Sequence, residues 1–184
     1  MNRVKIHDKY FDIYITKEAI EERIKVLGAG LSARFRDKKV VAIGVLNGAF
    51  IFMADLIRHC NFDLDVRFIK AKSYEGMHST GKVEIDQPGH LDLTDEHVIL
   101  VEDIIDTGLT MQYVVQKILA SNPSSLTVIT LLQKPAALKH KVQIDEVGFS
   151  IPPAFVVGYG LDYDDLGRNL PGIYQLSSNQ NPEQ

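Results

Sequence analysis

The segment Val98-Ile-Leu-Val-Glu-Asp-Ile-Ile-Asp-Thr-Gly-Leu-Thr110 constrains this chain more than any other, because four apolar residues give way abruptly to acids and a Thr-Gly-x-Thr turn. A short apolar run of this kind reads as a strand buried on both faces, as in a parallel sheet. With a strand over Val98–Val101, Glu102 and Asp103 emerge at its carboxyl edge, where open α/β sheets place their ligands. Thr110 to Ala120 then reads as a helix. A loop that hands a strand to a helix aims backbone N–H groups and the positive end of the helix dipole at one point, which suits a phosphate. Thr107 and Thr110 can add hydroxyl donors, and Gly108 lets the backbone approach closely. Glu102, Asp103 and Asp106 fall within five positions, repel one another and require cations or donors nearby. A single such acid is ordinarily a solvated loop residue. Three of them beside anion donors fit a phosphorylated sugar, whose phosphate takes the amides and whose hydroxyls donate to carboxylates.

The rest of the chain alternates in the same style. Thr16 can cap a helix whose apolar positions Ile20, Ile24, Leu27 and Leu31 share one face, with Glu21, Glu22, Arg23 and Lys25 filling most of the others. Lys39 to Leu46 is a β-branched run broken by Asn47-Gly48, and Ala49 to His59 reads as a helix with Phe52, Leu56 and Cys60 in register. Leu64 to Ile69 suggests a strand nearer an edge, leading into a long polar stretch from Lys72 to Asp92 that is either functional or disordered. Leu126 to Leu132 forms another β-branched run after Pro123. Strands alternating with helices predict an α/β fold with a parallel sheet flanked by helices. After Lys134 the pattern shifts to short extended pieces, Asp145–Ile151 and Phe155–Tyr159, separated by Pro152-Pro153, which predict a small β-rich appendage. The polar tail Ser177–Gln184 is expected to be disordered.

With 184 residues and 45% hydrophobic content, the chain has material for one well-buried core and is short for two. A formal net charge of −4 argues against a broad nucleic-acid surface. The one cysteine, Cys60, has no internal disulfide partner, and the residues from Met1 to Asp8 contain no uninterrupted apolar stretch, so a soluble, cytoplasmic protein with no membrane partner is expected. The six histidines, at 7, 59, 78, 90, 97 and 140, show no zinc-ligand spacing. There is no G-x-x-x-x-G-K-S/T loop, no G-x-S-x-G elbow and no G-x-G-x-x-G turn.

Val101-Glu-Asp-Ile-Ile-Asp-Thr-Gly-Leu-Thr110 resembles the phosphoribosyl-pyrophosphate motif of the type I phosphoribosyltransferases, in the form carried by hypoxanthine-guanine phosphoribosyltransferases of the bacterial type. The resemblance extends from about Lys39 to Leu176 over five segments in the same order. It implies a single domain over residues 1–176, with a hood made from the N-terminal segment and about 143–176. It further implies that Glu102 and Asp103 hold the ribose hydroxyls, directly or through a metal, and that Ile104, Ile105, Thr107, Gly108, Leu109 and Thr110 line the ribose and 5′-phosphate. Asp106 becomes the candidate base that takes the purine ring proton or hydrogen-bonds it during attack.

Further segments acquire roles in the same way. Asn47-Gly48 would form a loop that meets pyrophosphate, often through a non-proline cis peptide in the family; members commonly carry Lys or Arg where this chain has Asn47, so the backbone role carries over and the charge does not. Ser73-Tyr74 matches the start of a mobile catalytic loop that would keep water from a developing ribosyl cation. Lys134 would donate to the exocyclic oxygen of a 6-oxopurine and disfavour adenine, which presents an amino donor there. In Phe155-Val-Val-Gly-Tyr-Gly-Leu-Asp-Tyr163, Phe155 would stack on the base, Val156 would bond it through its backbone, and Asp162 would sit near Mg2+. Arg168 would grip pyrophosphate through its forked donors.

The implied reaction joins hypoxanthine or guanine to 5-phosphoribosyl 1-pyrophosphate, giving IMP or GMP and pyrophosphate, with Glu102, Asp103 and Asp162 as the oxygen ligands available to Mg2+. A homodimer or homotetramer is the family's usual assembly. The competing class is a non-catalytic regulator of the same fold that binds nucleic acid. Against it stand the retained Asp106, Ser73-Tyr74 and purine-clamp residues and the acidic charge.

Overall fold

The computed structural model describes residues 2–73, 83–86 and 92–181. The chain begins with a hairpin, β1 (Arg3–Ile6) and β2 (Lys9–Ile15), and then enters α1 (Lys17–Arg34). Thr16 caps this helix as expected, its Oγ1 accepting from the Ala19 N–H at 3.3 Å. Ile20, Ile24, Leu27 and Leu31 are all buried, each contributing roughly 1.5–3 kcal/mol of apolar burial. There follow β3 (Val40–Leu46), α2 (Phe50–Ile57), β4 (Leu64–Ser73), β5 (Val83–Asp86), β6 (His97–Ile105), α3 (Leu109–Leu119), β7 (Ser125–Gln133), β8 (Glu146–Ser150), β9 (Val156–Val157) and β10 (Ile173–Leu176).

Among the described residues, six strands form the main sheet in the order β5-β4-β3-β6-β7-β8. The strands β4, β3, β6, β7 and β8 run parallel, and β5 closes one edge antiparallel. Alternate side chains of the central strands feed two different cores. Val40, Ala42, Ile99 and Val101 pack with α1 and α2, whereas Val41, Ile43, Val45, Val98 and Leu100 pack with α3. Burial on both faces explains why these strands read as unbroken apolar runs. A separate antiparallel sheet, β1-β2-β10-β9, forms the hood, with Ile6, Phe11, Val157 and Tyr174 at its centre. The architecture is therefore the α/β fold with a β-rich hood that the sequence predicts.

Three boundaries differ from the sequence reading. Asp145–Ile151, expected in the appendage, supplies β8 at the edge of the main sheet; the Asp145 carboxylate accepts the Val128 N–H at 2.8 Å, and Arg23 on α1 donates to the Val147 and Gly148 carbonyls. The strand β6 does not end at Val101 but continues through both acids to Ile105. Ser177–Asn181, expected to be disordered, is fastened to the first hairpin: the Ser177 N–H donates to Tyr10 O at 2.9 Å and Arg3 donates to Ser177 Oγ at 2.7 Å. Among the described residues, no helix is long and apolar enough to cross a membrane.

Candidate functional site

The sheet order itself creates the site. From β3 the chain proceeds outward to β4 on one side, then crosses to β6 on the other, which makes the carboxyl ends of β3 and β6 the topological switch point. The β3–β6 pairing stops at Gly44 and Val101, while β3 stays paired with β4 as far as Leu46 and β6 with β7 as far as Ile105. Beyond Val101 the two central strands part. Glu102 and Asp103 lie where they separate, so the acids face a crevice although the strand runs through them.

A cleft of about 540 Å³ opens there, lined by residues 45–48 of β3 and its loop, residues 102–111, Ala71 of β4, Asp162 and Arg168. Three segments meet at close range. A Cβ on Gly48 would overlap the Asp103 carboxylate, and a Cβ on Gly160 would overlap the Gly48 carbonyl. Gly48 is thus required by packing. The Leu46–Asn47 peptide is cis.

Glu102 and Asp103 are 7% and 9% exposed. The Asp103 Oδ1 accepts the Ile104 N–H at 2.9 Å, and Glu102 Oε1 accepts the Asp103 N–H at 3.3 Å. Burial, followed by the neighbouring Asp103, pushes the Glu102 carboxyl well above the usual carboxylate range. Asp106, at the end of β6, is 46% exposed and forms an ion pair at 2.6 Å with Lys134, whose side chain is only 11% exposed. Lys134 follows β7 directly, and its N–H donates to Ile105 O at 3.0 Å, so the pairing of β6 with β7 brings the two residues together.

The turn between β6 and α3 is shaped as an anion cradle. Gly108 occupies the α3 N-cap position with φ +84° and offers no side-chain cap; the Leu109 N–H donates to Thr107 Oγ1 at 3.5 Å. The first N–H groups of a helix have no intrahelical partner. The Lys139 and His140 N–H groups both donate to Thr107 O at 3.0 Å. Because N–H and C=O point in opposite directions across a trans peptide, holding the Thr107 carbonyl against residues 139–140 turns the Gly108 N–H away from them. A Cβ at Gly108 would meet the His140 carbonyl, a second reason for glycine.

Opposite this turn, Arg168 Nη2 lies 2.7 Å from Asp162 Oδ1, and its Nη1 donates to Gly160 O at 2.8 Å. Asp162 Oδ2 also accepts the Asp165 N–H at 2.9 Å. The structure therefore collects Asn47, Gly48, Glu102, Asp103, Ile104, Ile105, Asp106, Thr107, Gly108, Leu109, Thr110, Asp162 and Arg168 in one cleft. Lys134 reaches it through Asp106. Phe155 and Val156 are not part of the lining: Val156 is buried in β9, and the exposed Phe155 ring sits 5.7 Å, edge-on, from Tyr163 and 6.1 Å from Phe11 in the hood. Ser73 ends β4, and Tyr74 falls outside the described residues, as do His78 and His90.

Val45, Leu46, Ala71 and Met111 also line the cleft and were not singled out by sequence reasoning. Ala71 carries a usable signal in hindsight, since small residues at the carboxyl ends of strands beside a switch point leave room for a ligand. The Lys139–His140 amides carry none, because their contribution is backbone. Among the described residues, no group of three or more His, Cys, Asp or Glu side chains is placed to hold a metal ion. The cleft instead offers hard oxygen donors singly and in one pair, a set that fits a cation sharing its shell with ligand phosphates and water.

Comparison with known proteins agrees with this geometry. Residues 12–164 match the family model described as "Phosphoribosyl transferase domain". The chain is 42% identical over 162 residues to a hypoxanthine-guanine phosphoribosyltransferase of Bacillus subtilis, covering 88% of this chain and 90% of that one. It is 39% identical to a hypoxanthine phosphoribosyltransferase of Haemophilus influenzae, with 88% and 92% covered. The crystal structure of a Staphylococcus aureus hypoxanthine phosphoribosyltransferase superposes with a TM-score of 0.86 at 38% identity, covering 90% of this chain and 91% of that one. Switch-point cleft, glycine turn at the start of α3, family match and close structural likeness together place the chain in the phosphoribosyltransferase family.

Proposed function

We propose that this protein joins hypoxanthine or guanine to 5-phosphoribosyl 1-pyrophosphate, yielding IMP or GMP and pyrophosphate in purine salvage. The observation that carries the reading is the convergence, in one cleft, of a helix N-terminus, a buried acid pair and Arg168 around the Asp106–Lys134 pair. Each part of the donor then has a complementary surface. The turn Thr107–Thr110 takes the 5′-phosphate, as the N–H groups at the start of α3 and the helix dipole favour. Glu102 and Asp103 accept from the ribose hydroxyls. Arg168 and the Asn47–Gly48 backbone take the pyrophosphate, with Asn47 contributing no charge.

Lys134 has three N–H donors, so one can remain on Asp106 while another meets the 6-oxo group of the purine. The ammonium thereby ties the base to the residue that receives its proton. The anomeric carbon–oxygen bond to pyrophosphate loosens, the purine ring nitrogen forms its bond to the anomeric carbon, and Asp106 takes or shares the proton that nitrogen loses. Departing charge falls on Arg168 and the cleft amides. Phe155 covers the base from the hood, Val156 offers it backbone hydrogen bonds, and Ser73-Tyr74 begins the segment that excludes water. Asp162, with Glu102 and Asp103 toward the ribose, would hold Mg2+, which would neutralise phosphate charge there. A cytoplasmic homodimer or homotetramer that acts on small molecules, with neither nucleic acid nor membrane as partner, completes the reading.

Pyrophosphate release measured with hypoxanthine, guanine, xanthine and adenine, with and without Mg2+, tests it. Release with hypoxanthine or guanine, little with adenine and loss on chelation are expected. Equal release with adenine would overturn the base assignment, and undiminished release in chelator the metal assignment.

A further inference from the structure

The loop that carries Asp162 and Arg168 is held by a contact far from either residue. Tyr159 is buried in the main core among α1, α2 and the strands, and its hydroxyl donates to Asp55 Oδ2 at 2.5 Å across 104 positions of sequence. Asp55 lies on α2, and α2 begins directly on the Asn47–Gly48 turn, with the Met53 N–H donating to Ala49 O and the Phe50 N–H to Asn47 O. One residue after Tyr159, Gly160 presses its Cα against the Gly48 carbonyl with φ +102° and accepts from Arg168 Nη1. Tyr159 itself has φ +50°, a conformation that a bulky side chain adopts only when its surroundings hold it there. Its own N–H donates to Leu170 O, and the Gly160 N–H donates to Arg168 O.

The hydroxyl of Tyr159 is therefore a side-chain link between the two walls of the pyrophosphate end of the cleft. Burial and then Asp55 push the phenol upward, which keeps its proton on oxygen as a donor. We propose that Tyr159 and Asp55 are a positioning pair that sets the 158–168 loop against the Asn47–Gly48 turn, and thereby fixes the affinity of the site for the pyrophosphate group. This rests on the reading of the cleft given above. Neither residue touches the donor. Without the link, Gly160, Arg168 and Asp162 lose their registration to Gly48, and the enzyme must order the loop on each binding event.

The test measures KM for phosphoribosyl pyrophosphate, KM for hypoxanthine and kcat in Tyr159→Phe, Asp55→Leu, Asp55→Asn and the double variant Tyr159→Phe/Asp55→Leu, with folding checked by circular dichroism. Asp55 is partly exposed beside a surface hollow shared with Arg58 and His59, so its variants open no cavity in the core, and what they take from it is the acceptor of the Tyr159 hydroxyl. Tyr159→Phe and Asp55→Leu should each raise the donor KM about tenfold, the effect of losing a hydrogen bond to a charged acceptor, and leave the hypoxanthine KM within about twofold. Asp55→Asn keeps an acceptor and should stay near the parent value. The double variant should be no worse than either single one. An unchanged donor KM in Tyr159→Phe or Asp55→Leu, or additive effects in the double variant, would overturn the proposal; if Tyr159→Phe fails to fold, Asp55→Leu decides alone. Arg168→Ala, run in parallel, tests the underlying reading: a donor KM that does not move there removes the pyrophosphate site and this pair with it.

Discussion

The Asp106–Lys134 pair is asymmetrically buried, and the asymmetry fixes how its two halves respond to removal. Lys134 is 11% exposed and Asp106 46% exposed, at 2.6 Å. Asp106→Asn leaves an enclosed ammonium without its counter-ion, a loss of about 2 kcal/mol, below the 3–5 kcal/mol of a fully buried pair because water reaches the carboxylate side. Lys134→Met replaces the ammonium with an apolar chain of similar length and leaves Asp106 facing solvent, which costs about 0–1 kcal/mol. For a domain of this size about 2 kcal/mol corresponds to a fall of roughly 4–8 °C in Tm. Asp106→Asn should therefore melt about 4–8 °C lower, Lys134→Met no more than about 4 °C below the parent, and the double variant above Asp106→Asn alone. Thermal unfolding at neutral pH and low salt reads all three. In the same Asp106→Asn protein, turnover should fall by about 10²–10⁴ with substrate affinity largely kept. The reasoning fails if Lys134→Met melts lower than Asp106→Asn or if the double variant shows the plain sum of the two losses; unchanged turnover removes Asp106 from the chemistry.

Other expectations follow from single contacts. Lys134→Ala should erode the preference for hypoxanthine over adenine, measured as the ratio of kcat/KM values, and an unaltered ratio would refute recognition of the exocyclic oxygen. Gly48→Ala places a methyl group on the buried Asp103 carboxylate, so a loss of about 1–3 kcal/mol and a higher donor KM are expected, read by thermal melting and kinetics. Burial pushes the Cys60 thiol up to about 11, so alkylation should be slow at neutral pH and accelerate about tenfold per pH unit toward that value; rapid labelling of the folded protein at pH 7 would contradict it.

Much of the fold was legible because local patterns and tertiary burial agree. The stripe of Ile20, Ile24, Leu27 and Leu31 with the Thr16 cap specified α1, and the apolar runs of β3, β6 and β7 announced strands covered on both faces. The strand β8 was misassigned because Glu146–Ser150 is a short, half-polar edge segment that looks the same whether it joins a large sheet or a small one. The end of β6 was misplaced for a different reason. Carboxylates inside a strand violate the pattern of burial, and they are tolerated here because β6 has left β3 at that height and they face the crevice.

The candidate site divides along the same line. The sequence alone determined the Thr107–Thr110 turn, the acid pair and the strand-to-helix units, because those depend on residues within a few positions of one another. Which of them meet was decided by the tertiary structure: the switch between β3 and β6 opened the crevice, the β6–β7 register set Lys134 on Asp106, and the packing of Gly160 on Gly48 brought Arg168 into the cleft that the Thr107–Thr110 turn lines. Such contacts join residues tens of positions apart and arise from strand order and backbone approach, neither of which leaves a local mark on side-chain pattern.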